Sequence, residues 1–389
     1  MTEKKKIIFY IGSLAQGGAQ RVMLNLTEAL LAKGHQVVVV TTAKVEDEYS
    51  LPAEAKRILS DLTEKERKKG RVGNFIRRFL KLRRIWKKEE PDVVISFIGK
   101  NNIMAILTSL GLRLPVLVSV RGEPGEEYYS RTLQLCARRL FPLAAGVILQ
   151  TQDSKAFFPE KVVKKAVVLP NPLNPIFLEG KRRKDDIHNR SEGPAKGNKT
   201  MIMVGRIDTN KNQKLVIDAF WQLADEFPKA SLEIWGEGED RRALLDCVKE
   251  RQLEDRIHLP GATGEVKKKL EEADIYLLSS NTEGMPNSLM EAMAVGLTVI
   301  STDCPCGGPK MLIQHGVNGL LVPVGDVERM AAAMRMVLGD EAFAQKLGQK
   351  ALEIREGLNP VKVNEQWEEY ILSHCREKRE KRPGKMGTG

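Results

Sequence analysis

Residues 91–99 read PDVVISFIG: a proline-led turn, a run of six residues in which only Ser96 is polar, and a glycine. A run this short and continuous, rich in β-branched residues, predicts a strand buried on both faces. Such strands belong to parallel sheets covered by helices on either side. The same signature recurs on the N-terminal side in KKIIFYIG (5–12) and HQVVVVTT (35–42). On the C-terminal side it recurs in PVLVSVRG (115–122), AAGVILQT (144–151) and KKAVVLPNP (164–172). Between the first two lies AQRVMLNLTEALLAKG (19–34), an amphipathic helix pattern closed by Gly34. The alternation predicts an α/β domain.

The pattern then breaks. EGKRRKDDIHNRSEGPAKGNK (179–199) is charged, contains Gly and Ser, and has no apolar period, so it reads as a linker or exposed loop. After it the alternation restarts, with TMIMVGRI, ASLEIWGEG, DRIHLPGA, ADIYLLSS, LTVIST and NGLLVPV as strands. A chain of 389 residues suits two such domains better than one core. The expected fold is α/β: two Rossmann-like, doubly wound parallel-sheet domains facing a central cleft. The expected divisions are 1–178, the linker 179–199, 200–358, and a C-terminal helix with a basic tail over 359–389. That helix is open to packing back on the first domain. In doubly wound sheets ligands bind outside the carboxyl ends of the strands, so the strand-to-helix loops carry the candidate chemistry.

Composition narrows the classes. Hydrophobic and charged fractions of 42% and 29% are those of a soluble globular protein. No apolar run approaches a membrane span, and no cleavable signal is evident, so the expected location is the cytosol. Five scattered cysteines fit that compartment, and Cys304 and Cys306 lack further Cys or His neighbours at metal-ligand spacing. They read as buried or turn residues.

Four loops stand out. GSLAQGGAQR (12–21) places Gly17 and Gly18 where a backbone could approach an anion or a sugar, although a tight turn explains them as well. It is neither GxGxxG nor a P-loop. GRIDTNKN (205–212) brings Arg206 and Lys211 out of a strand end, two cations suited to a diphosphate or simply to solvent. WGEGED (235–240), with Gly236 and Glu237, is a second glycine corner that could face a base or ribose, although a simple turn explains it almost as well.

In NTEGMPNSLMEA (281–292) Pro286 suits a helix start, and Asn287 or Ser288 could cap it. Glu283 precedes that terminus and Glu291 lies one turn inside. The pair could grip sugar and ribose hydroxyls around an anion-binding helix end. A plainer reading competes: Ser288 and Glu291 as a capping box, and Glu283 as a solvated carboxylate.

Together, in order and spacing, GGAQR, GRIDTNKN, the E-x7-E of EGMPNSLMEA after LLSS, and HGVNGLLVPVGD resemble the retaining GT-B glycosyltransferases of glycosyltransferase family four, the glycosyl transferases group 1. The resemblance spans nearly the whole chain. SVRGEP and DCPCGGPKMLI look most like members that extend lipid-linked or exopolysaccharide oligosaccharides in bacteria.

The resemblance implies roles. Arg206, Lys211 and Glu283 would be catalytic, the two cations stabilising the departing diphosphate. Gly17, Gly18, Gly205, Gly236, Glu237, Gly284, Met285, Pro286, Asn287, Ser288 and Glu291 would hold the nucleotide sugar, with Glu291 on the ribose. The donor is a co-substrate, expected to be a UDP-N-acetylhexosamine or UDP-hexose. No cofactor is implied. Without an Asp-x-Asp at a strand end, no metal is expected. Many relatives carry a histidine in the acceptor domain after a middle strand, whereas this first domain holds only His35. Lys100, Asn101, Arg121 and Glu123 are the remaining acceptor-side candidates.

The net charge of +11 is concentrated: residues 64–90 hold 12 Lys or Arg against 4 Glu. Within NFIRRFLKLRRIWKK (74–88), Phe75, Phe79, Leu82 and Trp86 share one helical face, a core-packing pattern, and Arg77, Lys81, Arg84 and Lys88 the other. The expected partner is an anionic membrane surface or a lipid-linked diphosphate, making the protein peripheral to the membrane's cytoplasmic face. Nucleic acid is disfavoured by an aromatic content of 5% and by the lack of a recognisable nucleic-acid fold. The rival readings are a UDP-sugar epimerase of the same fold and a non-catalytic basic membrane- or nucleic-acid-binding protein.

Overall fold

The computed structural model describes residues 3–64, 66–179 and 199–376. Most of the predicted 179–199 linker and the basic tail beyond 376 lie outside the described residues.

The first sheet contains β1 (Lys6–Ile11), β2 (Gln36–Thr41), β3 (Lys56–Leu59), β4 (Val93–Phe97), β5 (Val116–Ser119), β6 (Gly146–Leu149) and β7 (Ala166–Val168). Its order is β3-β2-β1-β4-β5-β6-β7. The pairs β1–β2, β1–β4, β2–β3 and β4–β5 are all parallel. The opening stretch is β4, with all five residues buried because β1 and β5 flank it and helices cover both faces. The sequence pattern missed β3: KRIL sits at the sheet edge with no residue fully buried, so it never acquires the continuous apolar run.

The second sheet contains β8 (Lys199–Val204), β9 (Ala230–Trp235), β10 (Ile257–Gly261), β11 (Ile275–Leu278), β12 (Thr298–Thr302) and β13 (Leu320–Val322). Its order is β10-β9-β8-β11-β12-β13, parallel throughout. Alternate residues of one strand enter different cores. Met201 and Met203 join the cluster with Leu232, Ile234 and Leu277, and Ile202 joins the cluster with Tyr276, Leu289 and Met293. That two-sided burial is why a central strand reads as an apolar run, whereas the edge strand β10 alternates buried and exposed residues.

By compactness the chain divides into a unit of residues 1–119, 135–147 and 367 onward, and a unit of 120–134 and 148–366. In the first, Trp367 stacks on Phe97 with ring centroids 6.4 Å apart. His35 Nε2 lies 3.1 Å from Glu368 Oε1, and Lys33 pairs with the same carboxylate. His35 is thus held in a buried structural contact.

The Gly70–Glu89 helix departs from expectation. Leu82 and Trp86 are buried, but Phe75 is exposed, and so are Val72, Ile76 and Leu80. The apolar stripe packs only along its C-terminal half. Two cations assigned to the solvated face are engaged instead: Arg77 Nη1 donates to Glu66 O at 3.1 Å, and Lys81 Nζ donates to Asp61 O.

Candidate active site

In the second sheet the strand order reverses between β8 and β11, and the loops leaving these neighbours are 205–212 and 279–286. This is the topological switch point where doubly wound sheets hold ligands. Register sets the geometry. Val204 pairs with Trp235, and Trp235 with Gly261, so β8, β9 and β10 end level. Gly205 N donates to Trp235 O at 3.0 Å, and Gly236 N to Gly261 O at 2.9 Å. A Cβ on Gly236 would lie 1.8 Å from Gly205 O, so the two glycine corners are in direct contact and Gly236 admits no side chain. Glu237, exposed beside them, reaches Arg241 at 3.6 Å.

A polar seam stitches the two loops together. Asn210 Nδ2 donates to Thr282 O at 3.1 Å, Thr282 N donates to Asn210 Oδ1 at 3.1 Å, and Asn281 N donates to Asn210 O at 2.7 Å. Ser279 Oγ donates to Lys211 O at 2.7 Å. Over this seam Lys211 Nζ meets Glu283 Oε1 at 2.5 Å, with the side chains 18% and 13% exposed. Ser280 Oγ donates to the same carboxylate oxygen at 2.6 Å. Arg206, by contrast, is 75% exposed and pairs with Asp208 at 3.1 Å. The two cations therefore differ: Lys211 is fixed in place, and Arg206 stands at the rim.

The helix Asn287–Ala294 begins two residues earlier than a Ser288 cap requires, with Pro286 as N-cap and no side-chain cap bond. Ser288 Oγ instead accepts from Tyr276 OH at 2.7 Å. The capping box of the rival reading, Ser288 with Glu291, is therefore not formed: with Pro286 as N-cap, Ser288 lies inside the first turn, where its hydroxyl meets Tyr276. Glu291 is 3% exposed. Burial, with smaller contributions from Glu283 and Glu291, pushes the Tyr276 phenol well above its ordinary value.

The turn before this helix is confined. A Cβ on Gly284 would lie 2.1 Å from Gln150 Oε1 and 2.6 Å from Arg121 O. On the other flank Glu283 N donates to Pro305 O at 2.8 Å. Cys304 and Cys306 are buried there, and burial, reinforced by Glu283, pushes the Cys304 thiol up to about 12.

The acceptor-side candidates fall in different places. Lys100 is exposed. Asn101 Nδ2 donates to Phe97 O at 3.2 Å, and Gly12 lies close by, so the first turn of the Gly99–Ser109 helix meets the loop after β1 at the switch point of the first sheet. Gly17 is the N-cap of the Gly18–Ala32 helix. Glu123 caps the short Pro124–Glu127 helix by accepting from Glu126 N at 2.7 Å. Burial lowers the Arg121 guanidinium to about 10, opposed by Glu127. The Arg121 side chain donates to Asn171 Oδ1.

Reading the sequence missed Asn210, Ser279, Ser280, Gln150 and Asn171. TNKN and LPNP carry the asparagines, but asparagine in a loop is an ordinary turn residue. Among the described residues there is no cluster of three or more His, Cys, Asp or Glu placed to hold a metal.

Comparison with known proteins bears on this geometry. A model of the glycosyl transferases group 1 matches residues 184–353, and one of the glycosyl transferase 4-like domain matches residues 17–172. The chain is 27% identical over 371 residues to the GalNAc-alpha-(1->4)-GalNAc-alpha-(1->3)-diNAcBac-PP-undecaprenol alpha-1,4-N-acetyl-D-galactosaminyltransferase of Campylobacter jejuni, covering 94% of this chain and 98% of that one. It is 24% identical over 387 residues to the N-acetylgalactosamine-N,N'-diacetylbacillosaminyl-diphospho-undecaprenol 4-alpha-N-acetylgalactosaminyltransferase of the same organism, covering 95% and 100%. Among solved structures, Anabaena HepE in complex with UDP and glucose superposes with a TM-score of 0.78 at 19% identity, over 95% of this chain and all of that one. Sucrose-phosphate synthase from Thermosynechococcus elongatus superposes with a TM-score of 0.79 at 19% identity, over 95% and 99%. At that identity the superpositions establish the fold, which is GT-B.

Proposed function

The chain belongs to the glycosyl transferases group 1, glycosyltransferase family four, and from that premise we propose that it is a retaining enzyme using a UDP-sugar. Its acceptor in this reading is a saccharide carried on a polyprenyl diphosphate. The observation that carries the proposal is the convergence of Lys211, Glu283 and the Glu291 helix on one switch point. An N-acetylhexosamine donor and a lipid-linked acceptor are favoured because two relatives aligned nearly end to end are named as N-acetylgalactosaminyltransferases acting on diphospho-undecaprenol-linked sugars.

Each side chain has a task in the transfer. The bond from the anomeric carbon to the diphosphate breaks, and the bond to the acceptor oxygen forms on the same face. The acceptor hydroxyl's proton passes to the departing phosphate oxygen. Negative charge grows on that diphosphate, so Lys211, held beforehand by Glu283 and Ser280, and Arg206 at the rim supply fixed positive charge without reorganising. Glu283 takes hydroxyls of the donor sugar, and Glu291 those of the ribose. The cations do the electrostatic work that a divalent metal does elsewhere, so the reaction proceeds without one.

The Gly70–Glu89 helix docks the protein on an anionic membrane. Arg78, Arg84, Lys87 and Lys88 are exposed, alongside Val72, Phe75, Ile76 and Leu80. Each cation near such a surface contributes about 1 kcal/mol, and the apolar residues add burial at the headgroup boundary. No helix among the described residues is long and apolar enough to cross a membrane.

The test is incubation with UDP-sugars and a polyprenyl-diphosphate oligosaccharide in the presence of chelator. The expected result is a longer lipid-linked saccharide with an α linkage. An epimerised nucleotide sugar with no glycosidic product would favour the epimerase reading.

A further inference from the structure

Asn171 and Gln150 belong to no part of the proposed chemistry, yet both are almost fully buried, and their side chains end on the turn Gly284–Asn287. Asn171 Nδ2 donates to Met285 O at 3.1 Å and to Asn287 Oδ1 at 2.7 Å. Its Oδ1 accepts from Gln150 Nε2 at 2.9 Å and from the Arg121 guanidinium. Its backbone N–H points at Met285 Sδ at 3.1 Å. Gln150 Oε1 in turn accepts from Met285 N at 3.2 Å. Both N–H groups of the Asn171 amide and both directions of its carbonyl are thus used, and the backbone of Met285 is gripped at both its N–H and its C=O.

A carboxamide is the group that offers two donors and two acceptor sites on one planar head. Aspartate has the same shape but would turn a carboxylate oxygen toward Met285 O and Asn287 Oδ1, two acceptors. Alanine would remove the donor shared by buried Met285 O and half-buried Asn287 Oδ1. The turn so held is the one that joins Glu283 to the helix carrying Glu291, and Gly284 has no room for a side chain because Gln150 stands against it. On its far side a Cβ on Gly308 would lie 1.5 Å from Gly284 O, so the turn is held from both flanks.

We propose that Asn171, braced by Gln150 and Arg121, is a positioning residue for the donor: it fixes the Gly284–Asn287 turn so that Glu283 and Glu291 address one nucleotide sugar. The inference rests on the reading of this turn as the donor site. Asn171 touches neither donor nor acceptor and acts through Met285 and Asn287.

The test uses the full-length protein with UDP-N-acetylhexosamine and UDP-hexose as probes, by calorimetry and by steady-state kinetics where transfer is detected. In Asn171→Ala and Asn171→Asp, donor Kd and KM are expected to rise by about tenfold to a hundredfold, while acceptor KM stays within about twofold. In the double variant Asn171→Ala/Asn287→Ala the loss should fall well short of the product of the single losses, because both act on one contact. A general loss of structure would move both KM values and the unfolding transition together. If Asn171→Ala does not fold, Asn171→Asp, of equal size, and Gln150→Leu, from the other side of the clamp, carry the test. Wild type binding a UDP-sugar while folded Asn171→Asp and Gln150→Leu bind it equally well would overturn this inference alone. Wild type binding no nucleotide sugar would overturn the donor-site reading, and this inference with it.

Discussion

Lys211 Nζ lies 2.5 Å from Glu283 Oε1, a contact that ties the loop after β8 to the loop after β11 across the switch point of the second sheet. Neither side chain is free to wander, since Ser280 holds the same carboxylate oxygen at 2.6 Å and Lys211 passes over Gly205, its Cε 3.7 Å from where a Cβ would stand. In the proposed transfer, an ammonium fixed in this way would be preorganised for charge that grows only as the diphosphate leaves.

Lys211→Met should therefore lower kcat by about 10²- to 10³-fold, the usual loss when one preorganised electrostatic group is removed. Arg206→Ala, at an exposed rim position, should cost less and show mainly in donor KM. Steady-state kinetics with donor and acceptor varied separately would separate the two.

Glu291 is buried at the second turn of its helix, and Glu291→Gln keeps its volume. Hydrogen bonds to a charged group contribute about 1.5–3 kcal/mol, so donor affinity should fall by about tenfold to a hundredfold. The unfolding midpoint and the near-ultraviolet circular dichroism should show an intact fold. An equal loss of affinity and stability would instead mark Glu291 as a structural residue.

Gly236→Ala should be destabilising whatever the ligand. Its Cβ would sit 1.8 Å from the carbonyl oxygen of Gly205, a backbone atom that no rotamer change can move, at a φ of +153°. A cost of about 1–3 kcal/mol is expected, as for other forced overpacking. Thermal unfolding would read it, and donor binding should weaken in parallel because Gly205 leads directly into Arg206.

In the loop after β2, Glu48 contributes to stability. Hydrogen bonds from Arg57 at 2.6 and 3.0 Å, with the N–H groups of Val45 and Leu14, hold the Glu48 carboxyl at about 2 against the opposing effect of burial. Its folded-state value lies below the unfolded one, so the native state binds fewer protons and the contribution is complete above pH 4.5. It is lost as pH falls from there toward 2. Denaturant titrations across that window should show wild-type stability declining on acidification. Glu48→Gln should start lower at neutral pH and decline less.

Membrane docking by the Gly70–Glu89 helix should be salt-sensitive, because Arg78, Arg84, Lys87 and Lys88 are exposed and screening lengths shorten to about 8 Å at 0.15 M salt. Vesicles containing anionic lipid should sediment the protein at low ionic strength, and neutral vesicles should not. Replacing Arg84, Lys87 and Lys88 by glutamine should weaken sedimentation, and Phe75→Ser should weaken it with less dependence on salt.

Among the described residues, twelve of the thirteen strands were legible from their apolar residues, the edge strands β7 and β10 among them despite partial burial, whereas KRIL of β3 carries two cations in four positions and no such run. The E-x7-E stretch was legible as a helix start, but its capping pattern pointed to the wrong bond, since the competing partner, Tyr276, lies 12 positions away in sequence. Gln150 and Asn171 were not legible at all. They reach the Met285 turn across 135 and 114 positions, and no local pattern marks such a contact. The Gly70–Glu89 stripe shows the same limit: its period fixed the face but could not tell how far along the helix a neighbour would cover it.

The most direct measurement is calorimetric binding of UDP-, GDP- and ADP-sugars to the wild-type protein and to Glu291→Ala, with chelator present throughout. Metal-free binding of a UDP-sugar, lost in the variant, is the predicted result. Binding of no nucleotide sugar, or binding that returns only when a divalent cation is supplied, would contradict the assignment.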